Sequence, residues 1–200
     1  MKKFEPSEIT RFLQAVDKHL TETIEIRVIG GAAAALSFGA QQGTLDIDMG
    51  SLSSANIDIT TAQSLIDVAR KRAAEETGLD IPMQRVTVWD APADFEERLE
   101  SPPLPRLTKL RIVVPERYDW ALMKIVRLDA KDIEHIKEVH ARLRYDKRVF
   151  LDRFLTEMKH VEPRWRLVTI FVVMMEELYG KADADRMEAR IRATWPNTTP

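Results

Sequence analysis

Asp46 and Asp48 are the two residues whose type and spacing point most directly to chemistry in this chain. In a β-strand, residues i and i+2 project from the same face, so these two carboxylates would lie side by side. Adjacent carboxylates repel each other unless a cation lies between them. Because Mg²⁺ is commonly held by one or two carboxylates together with substrate phosphates, the pair predicts a magnesium site.

A glycine pair precedes the aspartates. Gly30 and Gly31 follow the apolar segment 24–29 and lead into an alanine-rich segment, 32–38, of helical composition. Glycines between a strand and a helix let a phosphate approach the backbone N–H groups at the positive end of the helix dipole. Taken with the aspartates, this arrangement predicts a site for a Mg²⁺–nucleoside triphosphate.

The elements that must position these residues follow from the hydrophobic pattern of the chain. The pattern predicts strands at 24–29, 45–49, 84–89 and 107–114. After Pro115 it predicts helices alone, at 116–128, 130–143, 147–160, 163–179 and 182–193. We therefore expect an α/β domain of the α+β type at 1–115, and a C-terminal helical region at 116–200 packed on it.

The first motif of the chain resembles the signature of the nucleotidyltransferase superfamily, which has the polymerase-beta-like fold. That signature is a glycine pair, a short helix, a turn and then Thr-x-Asp-x-Asp. The similarity is greatest to small bacterial members, which include minimal nucleotidyltransferases and abortive-infection toxins. The matching residues are Gly30, Gly31, Gly39, Thr44, Asp46 and Asp48.

A second block is similar to the run that follows the sheet in those bacterial domains, where Leu and Lys are followed by Arg and by Lys/Arg-Asp. The matching residues here are Leu122, Met123, Lys124, Arg127, Lys131, Asp132 and Ile133. The two blocks occur in the expected order. Together they make the resemblance more specific than the glycine pair alone.

The resemblance implies a mixed, twisted sheet flanked by helices, followed by a helical bundle. It implies transfer of a nucleoside monophosphate from a triphosphate to an acceptor such as tRNA or a protein, within a toxin–antitoxin pair that has a cognate antitoxin. Asp46 and Asp48 would be catalytic and would hold Mg²⁺. The nucleotide would contact Gly30, Gly31, Thr44 and Lys124.

Two departures from the superfamily pattern leave activity open. A third carboxylate is expected on the strand predicted at 84–89, but its alternation places Thr87 or Arg85 there. Asp90 is the nearest acid and is the candidate third catalytic carboxylate. Gln42 stands where bacterial relatives commonly have a basic residue. The alternative is a degenerate protein that binds nucleotide without turnover, or a protein-interaction module built on the C-terminal helices.

Each candidate residue also has a purely structural interpretation. The aspartate pair could be the exposed face of a strand whose other side is apolar, and the glycine pair could make a tight turn without any ligand. Thr44 could supply only a turn hydroxyl. Lys124 could be an amphipathic lysine whose aliphatic part covers apolar surface.

Composition excludes several kinds of site and several classes of protein. The chain has 200 residues, a net charge of −2 and no cysteine. The absence of cysteine excludes disulfides and thiolate metal sites. The charge argues against a dedicated duplex-binding protein. The start of the chain lacks an apolar signal segment, and the apolar run at 167–175 is too short to span a bilayer, so we expect a cytoplasmic protein with no membrane partner.

Overall fold

The structure, a computed structural model, describes residues 2–88 and 90–196. The chain forms two compact units. The first consists of Met1–Val88 and Leu99–Pro115, and the second consists of Trp89–Arg98 and Glu116–Pro200. A mixed sheet together with helices confirms the predicted α+β class.

The first unit is built on a four-stranded mixed sheet. Its strands are β1 (Ile24–Ile29), β2 (Ile47–Ser53), β3 (Met83–Arg85) and β4 (Leu110–Val113), in the order β3-β2-β1-β4. β1 pairs with β2 antiparallel, whereas β1 with β4 and β2 with β3 are parallel. The helices of this unit are α1 (Pro6–His19), α2 (Gly30–Ser37) and α3 (Ile59–Thr77).

Alternating burial determines which side of the sheet faces the core. Ile47 and Met49 of β2 are fully buried, as is Val28 of β1, and all three are apolar. α1 buries Phe12 and Leu13 on its apolar face and packs against α3. Because side chains alternate along a strand, the intervening residues of β2 project from the opposite face.

A buried carboxylate joins α1 to the start of β4. Asp17 accepts hydrogen bonds from the backbone N–H groups of Thr108, Lys109 and Leu110, at 2.7–3.0 Å, and from the Thr108 hydroxyl at 3.0 Å. Burial raises the pKa of Asp17, but these hydrogen bonds outweigh it, and the pKa lies below its ordinary value. The ionised form of Asp17 therefore stabilises this unit.

The second unit is helical. Its α-helices within the described residues are α4 (Arg117–Arg127), α5 (Ala130–Leu143), α6 (Lys147–Glu157), α7 (Arg164–Tyr179) and α8 (Lys181–Thr194). These bounds confirm the five predicted helices to within a few residues. The side chains of Glu116 and Asp146 accept hydrogen bonds from backbone N–H groups at the starts of α4 and α6. These bonds satisfy donors that have no partner within the helix.

The core of the second unit is rich in aromatic side chains. Phe154 stacks on Phe171 with ring centroids 3.8 Å apart and also contacts Trp195. Phe150 packs edge-on against Phe171 and against Tyr118. Each large aromatic group of this kind buries a large apolar area, so these rings contribute strongly to the packing of the unit.

Three predicted strands differ from the observed ones. The strand predicted at 107–114 is shorter than expected, since β4 covers only Leu110–Val113. β2 begins at Ile47 rather than at residue 45 and continues to Ser53, because Leu52 pairs with Ile26 of β1 in spite of the polar composition of residues 50–54. β3 covers only Met83–Arg85 of the strand predicted at 84–89. The last residue of that prediction, Trp89, lies outside the described residues.

None of the helices in the described part of the chain combines the length and the apolar character that crossing a bilayer requires.

Candidate functional site

Strand β2 positions both aspartates. Asp48 is its second residue. Asp46 immediately precedes the strand, whereas the sequence had predicted a strand that begins at residue 45 and includes both aspartates. Both are partly exposed, whereas Ile47 and Met49 beside them are fully buried. The apolar neighbours therefore fix the chain so that the two carboxylates project away from the core.

Gln84 brings the two carboxylates together. The register of β2 and β3 places Gln84 opposite Asp48. The Gln84 Nε2 atom donates to Asp46 Oδ2 at 3.1 Å and to Asp48 Oδ1 at 3.0 Å. A side-chain amide nitrogen has two hydrogens, so one group can serve two acceptors. Two carboxylate oxygens from different residues thus converge on a single point.

The identity of this neighbour corrects the sequence prediction. Alternation over 84–89 places Thr87 or Arg85 beside the aspartates, but β3 begins at Met83, whose buried side chain shifts the alternation by one residue. Arg85 pairs with Met49 and so projects from the other side of the sheet, and Thr87 follows the end of the strand. An amide, not a carboxylate, stands next to the pair.

Gly30 begins α2 directly beside Asp48. It has a φ of +68°, and a Cβ atom at this position would lie 3.1 Å from Asp48 Oδ2. The left-handed backbone therefore favours glycine here, and the absence of a side chain also leaves room for the Asp48 carboxylate. Gly31 is the second residue of the same helix. The N-terminus of α2, with its partial positive charge, thus adjoins the aspartate pair.

Thr44 orders the segment that leads to Asp46. Its hydroxyl donates to the Asp46 backbone carbonyl at 3.2 Å, and its backbone N–H and C=O pair with those of Phe4 at 3.1 and 2.7 Å. Thr44 is buried. These contacts correspond to the turn-hydroxyl interpretation of Thr44, and its contact with phosphate stays a prediction.

Lys124 lies in the second unit, where three charged residues of the second motif, Lys124, Arg127 and Asp132, pair with one another. Its Nζ donates to Asp132 Oδ1 at 2.6 Å and lies 5.2 Å from the centroid of the Trp120 ring. Arg127 donates to both oxygens of the same carboxylate. Lys124 and Asp132 are both buried. The contact of Lys124 with a nucleotide therefore stays a prediction.

The protonation equilibria of this buried pair follow from its contacts. Burial raises the pKa of Asp132, but the hydrogen bonds from Arg127 and Lys124 outweigh it, and the pKa falls from 3.8 to about 2. Burial lowers the pKa of Lys124, and the bond to Asp132 opposes this effect in part. Asp132 is thus held in its ionised form at neutral pH.

Asp90 is exposed and belongs to the second unit, and its role as a third catalytic acid stays a prediction. Within residues 2–88 and 90–196, no group of three or more His, Cys, Asp or Glu side chains is arranged to hold a metal ion. Among the residues of the first unit that the structure describes, Asp46 and Asp48 are the acids that converge on one point, and Gln84 lies between them.

The comparison with protein families gives one result that bears on this geometry. A family model described as a nucleotidyltransferase of unknown function, DUF6036, matches residues 7–177. The chain belongs to this nucleotidyltransferase family. The match includes both motifs, from Gly30 to Asp132. No curated protein matches the chain, and no solved structure does.

Membership of the nucleotidyltransferase family raises the question of whether the site suits a divalent cation. Enzymes that transfer nucleotides generally use such ions, and their hard ligands are carboxylate oxygens. Asp46 and Asp48 supply two such oxygens that already converge on one point. The donor set therefore fits Mg²⁺, with one carboxylate fewer than a two-metal site held by three acids would have.

Sequence reasoning missed Gln84. The signal that could have found it is the buried, alternating pair Ile81 and Met83 directly before it, which places Gln84 on the opposite side from the core.

Proposed function

We propose that this nucleotidyltransferase-family protein binds a Mg²⁺–nucleoside triphosphate and transfers the nucleoside monophosphate to an acceptor hydroxyl. One observation carries the proposal: the Asp46 and Asp48 carboxylates converge on one point beside the N-terminus of α2. Such a site offers ligands for a cation and backbone N–H groups for phosphates at the same place.

Each side chain has a role in this proposal. Asp46 and Asp48 hold the cation, which would neutralise the phosphates and the charge that develops during transfer. Gly30 and Gly31 have no side chains that would keep phosphate oxygens away from the N–H groups at the start of α2. Thr44 keeps the Asp46 segment in place through its bond to the Asp46 carbonyl.

Lys124 is the fourth nucleotide contact of the proposal, and we expect its contribution to be the smallest. Its ammonium group already donates to Asp132, so it could reach a phosphate only by leaving a buried ion pair. Breaking such a pair leaves an uncompensated buried charge, which costs several kcal/mol, of the order of 3–5.

The acceptor follows from the resemblance rather than from the site. The similarity to abortive-infection toxins favours tRNA or a protein as acceptor, and a cognate antitoxin as partner in the cytoplasm. Phosphoryl-type transfer depends mainly on positioning and electrostatics, so acceptors of different classes could be served by the same pair of carboxylates.

A second function, binding of a nucleotide without turnover, is favoured by Gln84. A neutral amide next to the aspartates means that the site lacks the charge of a third carboxylate there. If the second of two metal ions is not held, transition-state stabilisation falls, and each 1.36 kcal/mol lost lowers the rate about tenfold.

A label-transfer experiment separates the two functions. The protein is incubated with Mg²⁺ and each of four α-³²P-labelled triphosphates, together with bulk tRNA or cell lysate. An active transferase labels tRNA or a protein, and Asp48→Asn abolishes labelling while Asp67→Asn, a change on the surface of α3, does not. Triphosphate binding without labelling supports the non-catalytic function. Labelling that survives Asp48→Asn contradicts the assigned site.

A further inference from the structure

Gln84 stands at the point where the two carboxylates of the candidate site meet. Its Nε2 lies 3.1 Å from Asp46 Oδ2 and 3.0 Å from Asp48 Oδ1. An ionised carboxylate only accepts hydrogen bonds, so the amide must turn its nitrogen, and not its oxygen, toward the pair. The N–H groups of Gln84 therefore take the position that a cation bound by both aspartates requires.

We propose that Gln84 is a neutral placeholder, that is, that its amide occupies the cation position when no cation is bound. There the amide holds the two carboxylates together, and its lack of charge limits the site to one weakly bound divalent ion. The inference rests on the proposed function only in that the same two carboxylates bind the cation. The N–H groups of Gln84 present partial positive charge to Asp46 and Asp48, and a bound cation presents positive charge at the same point. The amide must therefore be displaced when the cation binds.

The charge of the side chain at position 84 sets the affinity. Divalent-cation affinity depends on how many charged oxygen ligands a site supplies. Glutamate has the length of glutamine, so Gln84→Glu would direct a third carboxylate at the same point. Because Gln84 is exposed on β3, which forms the edge of the sheet, the substitution buries no charge and should leave the fold intact.

The described part of the chain contains a matched control for this substitution. On α3, Gln63 Nε2 donates to Asp67 Oδ1 at 3.0 Å, so it too is a glutamine amide bonded to an aspartate. That contact involves a single carboxylate on a helix surface rather than two that converge. Gln63→Glu therefore makes the same chemical change without adding to a shared point.

The test is Mn²⁺ binding to the full-length protein without nucleotide, measured by electron paramagnetic resonance. The parent protein should bind one Mn²⁺, Gln84→Glu should bind it about tenfold more tightly or better, and Gln63→Glu should match the parent. Two bound Mn²⁺ in the parent, or no gain in Gln84→Glu, overturns the proposal even where Asp48→Asn still abolishes binding and the proposed function stands.

A second variant distinguishes a placeholder from a ligand. Gln84→Met keeps the length of the side chain but removes its N–H groups and its oxygen. A placeholder predicts that Gln84→Met binds Mn²⁺ at least as tightly as the parent. A loss of about tenfold or more shows that Gln84 contributes a ligand oxygen and overturns the proposal. Absence of Mn²⁺ binding in every variant overturns the proposal for Gln84, whereas the proposed function, in which substrate phosphates also hold the cation, is tested separately by titration with triphosphates.

Discussion

Asp132 in the second unit and the pair Asp46–Asp48 in the first are carboxylates in opposite circumstances. Asp132 is fully buried and bonded to two cations, Lys124 and Arg127. The pair is partly exposed and shares the neutral amide of Gln84, which adds no compensating charge. A carboxylate matched by cations within its own unit contributes to stability, whereas we propose that the two partly exposed carboxylates that share an amide receive a cation from solution.

The largest expected effect is on stability, where the two kinds of carboxylate should differ most. Asp132→Ala leaves Lys124 buried without its partner, and removing one member of a buried pair typically costs about 3–5 kcal/mol. Urea denaturation of the full chain measures the free energy of unfolding. Asp48→Ala should change it by less than about 1 kcal/mol, because this change relieves repulsion between neighbouring carboxylates. Equal losses of unfolding free energy in Asp132→Ala and Asp48→Ala would contradict this difference between the two kinds of carboxylate.

Acid should remove the contribution of Asp132 in a defined range of pH. Its pKa is lowered from 3.8 to about 2 on folding, so the stabilisation is fully present above 3.8 and disappears as the pH falls toward 2. The difference in unfolding free energy between the parent and Asp132→Asn should therefore shrink across this range. A difference that stays constant from pH 5 to pH 2 would show that Asp132 is not held ionised by its neighbours.

Asp17 should show the same direction of pH dependence. Its pKa lies below the ordinary value because of its backbone hydrogen bonds, although burial acts in the opposite sense. Stability from Asp17 is present above its ordinary pKa and lost as the pH falls through the folded one. Asp17→Asn should thus destabilise the chain at neutral pH, by about 1–3 kcal/mol, and less in acid. Denaturation curves at both pH values measure this.

A smaller effect separates backbone strain from site chemistry. Gly30 and Gly78 have nearly the same φ, +68° and +69°, but a Cβ at Gly30 would press on Asp48 Oδ2, whereas one at Gly78 would have nothing within 4 Å. Both alanine variants should lose about 1–2 kcal/mol of stability from the left-handed backbone. Only Gly30→Ala should also weaken Mn²⁺ binding. Equal Mn²⁺ affinity in the two variants would remove Gly30 from the site.

Local patterns were enough to predict the helices of the second unit and the strand β1. Their side chains repeat with the period of the element. The aspartate pair was also evident from its spacing. These features depend on residues close together in the chain, which is why the sequence reveals them.

Features that depend on pairing between distant segments were not predicted. The neighbour of the aspartates is set by the register of β2 with β3, which places Gln84 rather than Thr87 or Arg85 beside them. The bond between Lys124 and Asp132 requires the chain to turn at Leu128, which ends α4 with a φ of 44°. A leucine gives little sign of a left-handed turn.

We propose that Asp46 and Asp48 form a site for a divalent cation and a nucleoside triphosphate. Isothermal titration calorimetry of the full chain with each of four triphosphates, with and without Mg²⁺, measures binding at this site. We expect Mg²⁺-dependent binding of at least one triphosphate to the parent and to Asp67→Asn, with no binding to Asp48→Asn. Binding that is unchanged in Asp48→Asn, or no binding to the parent at millimolar concentrations, would contradict the claim.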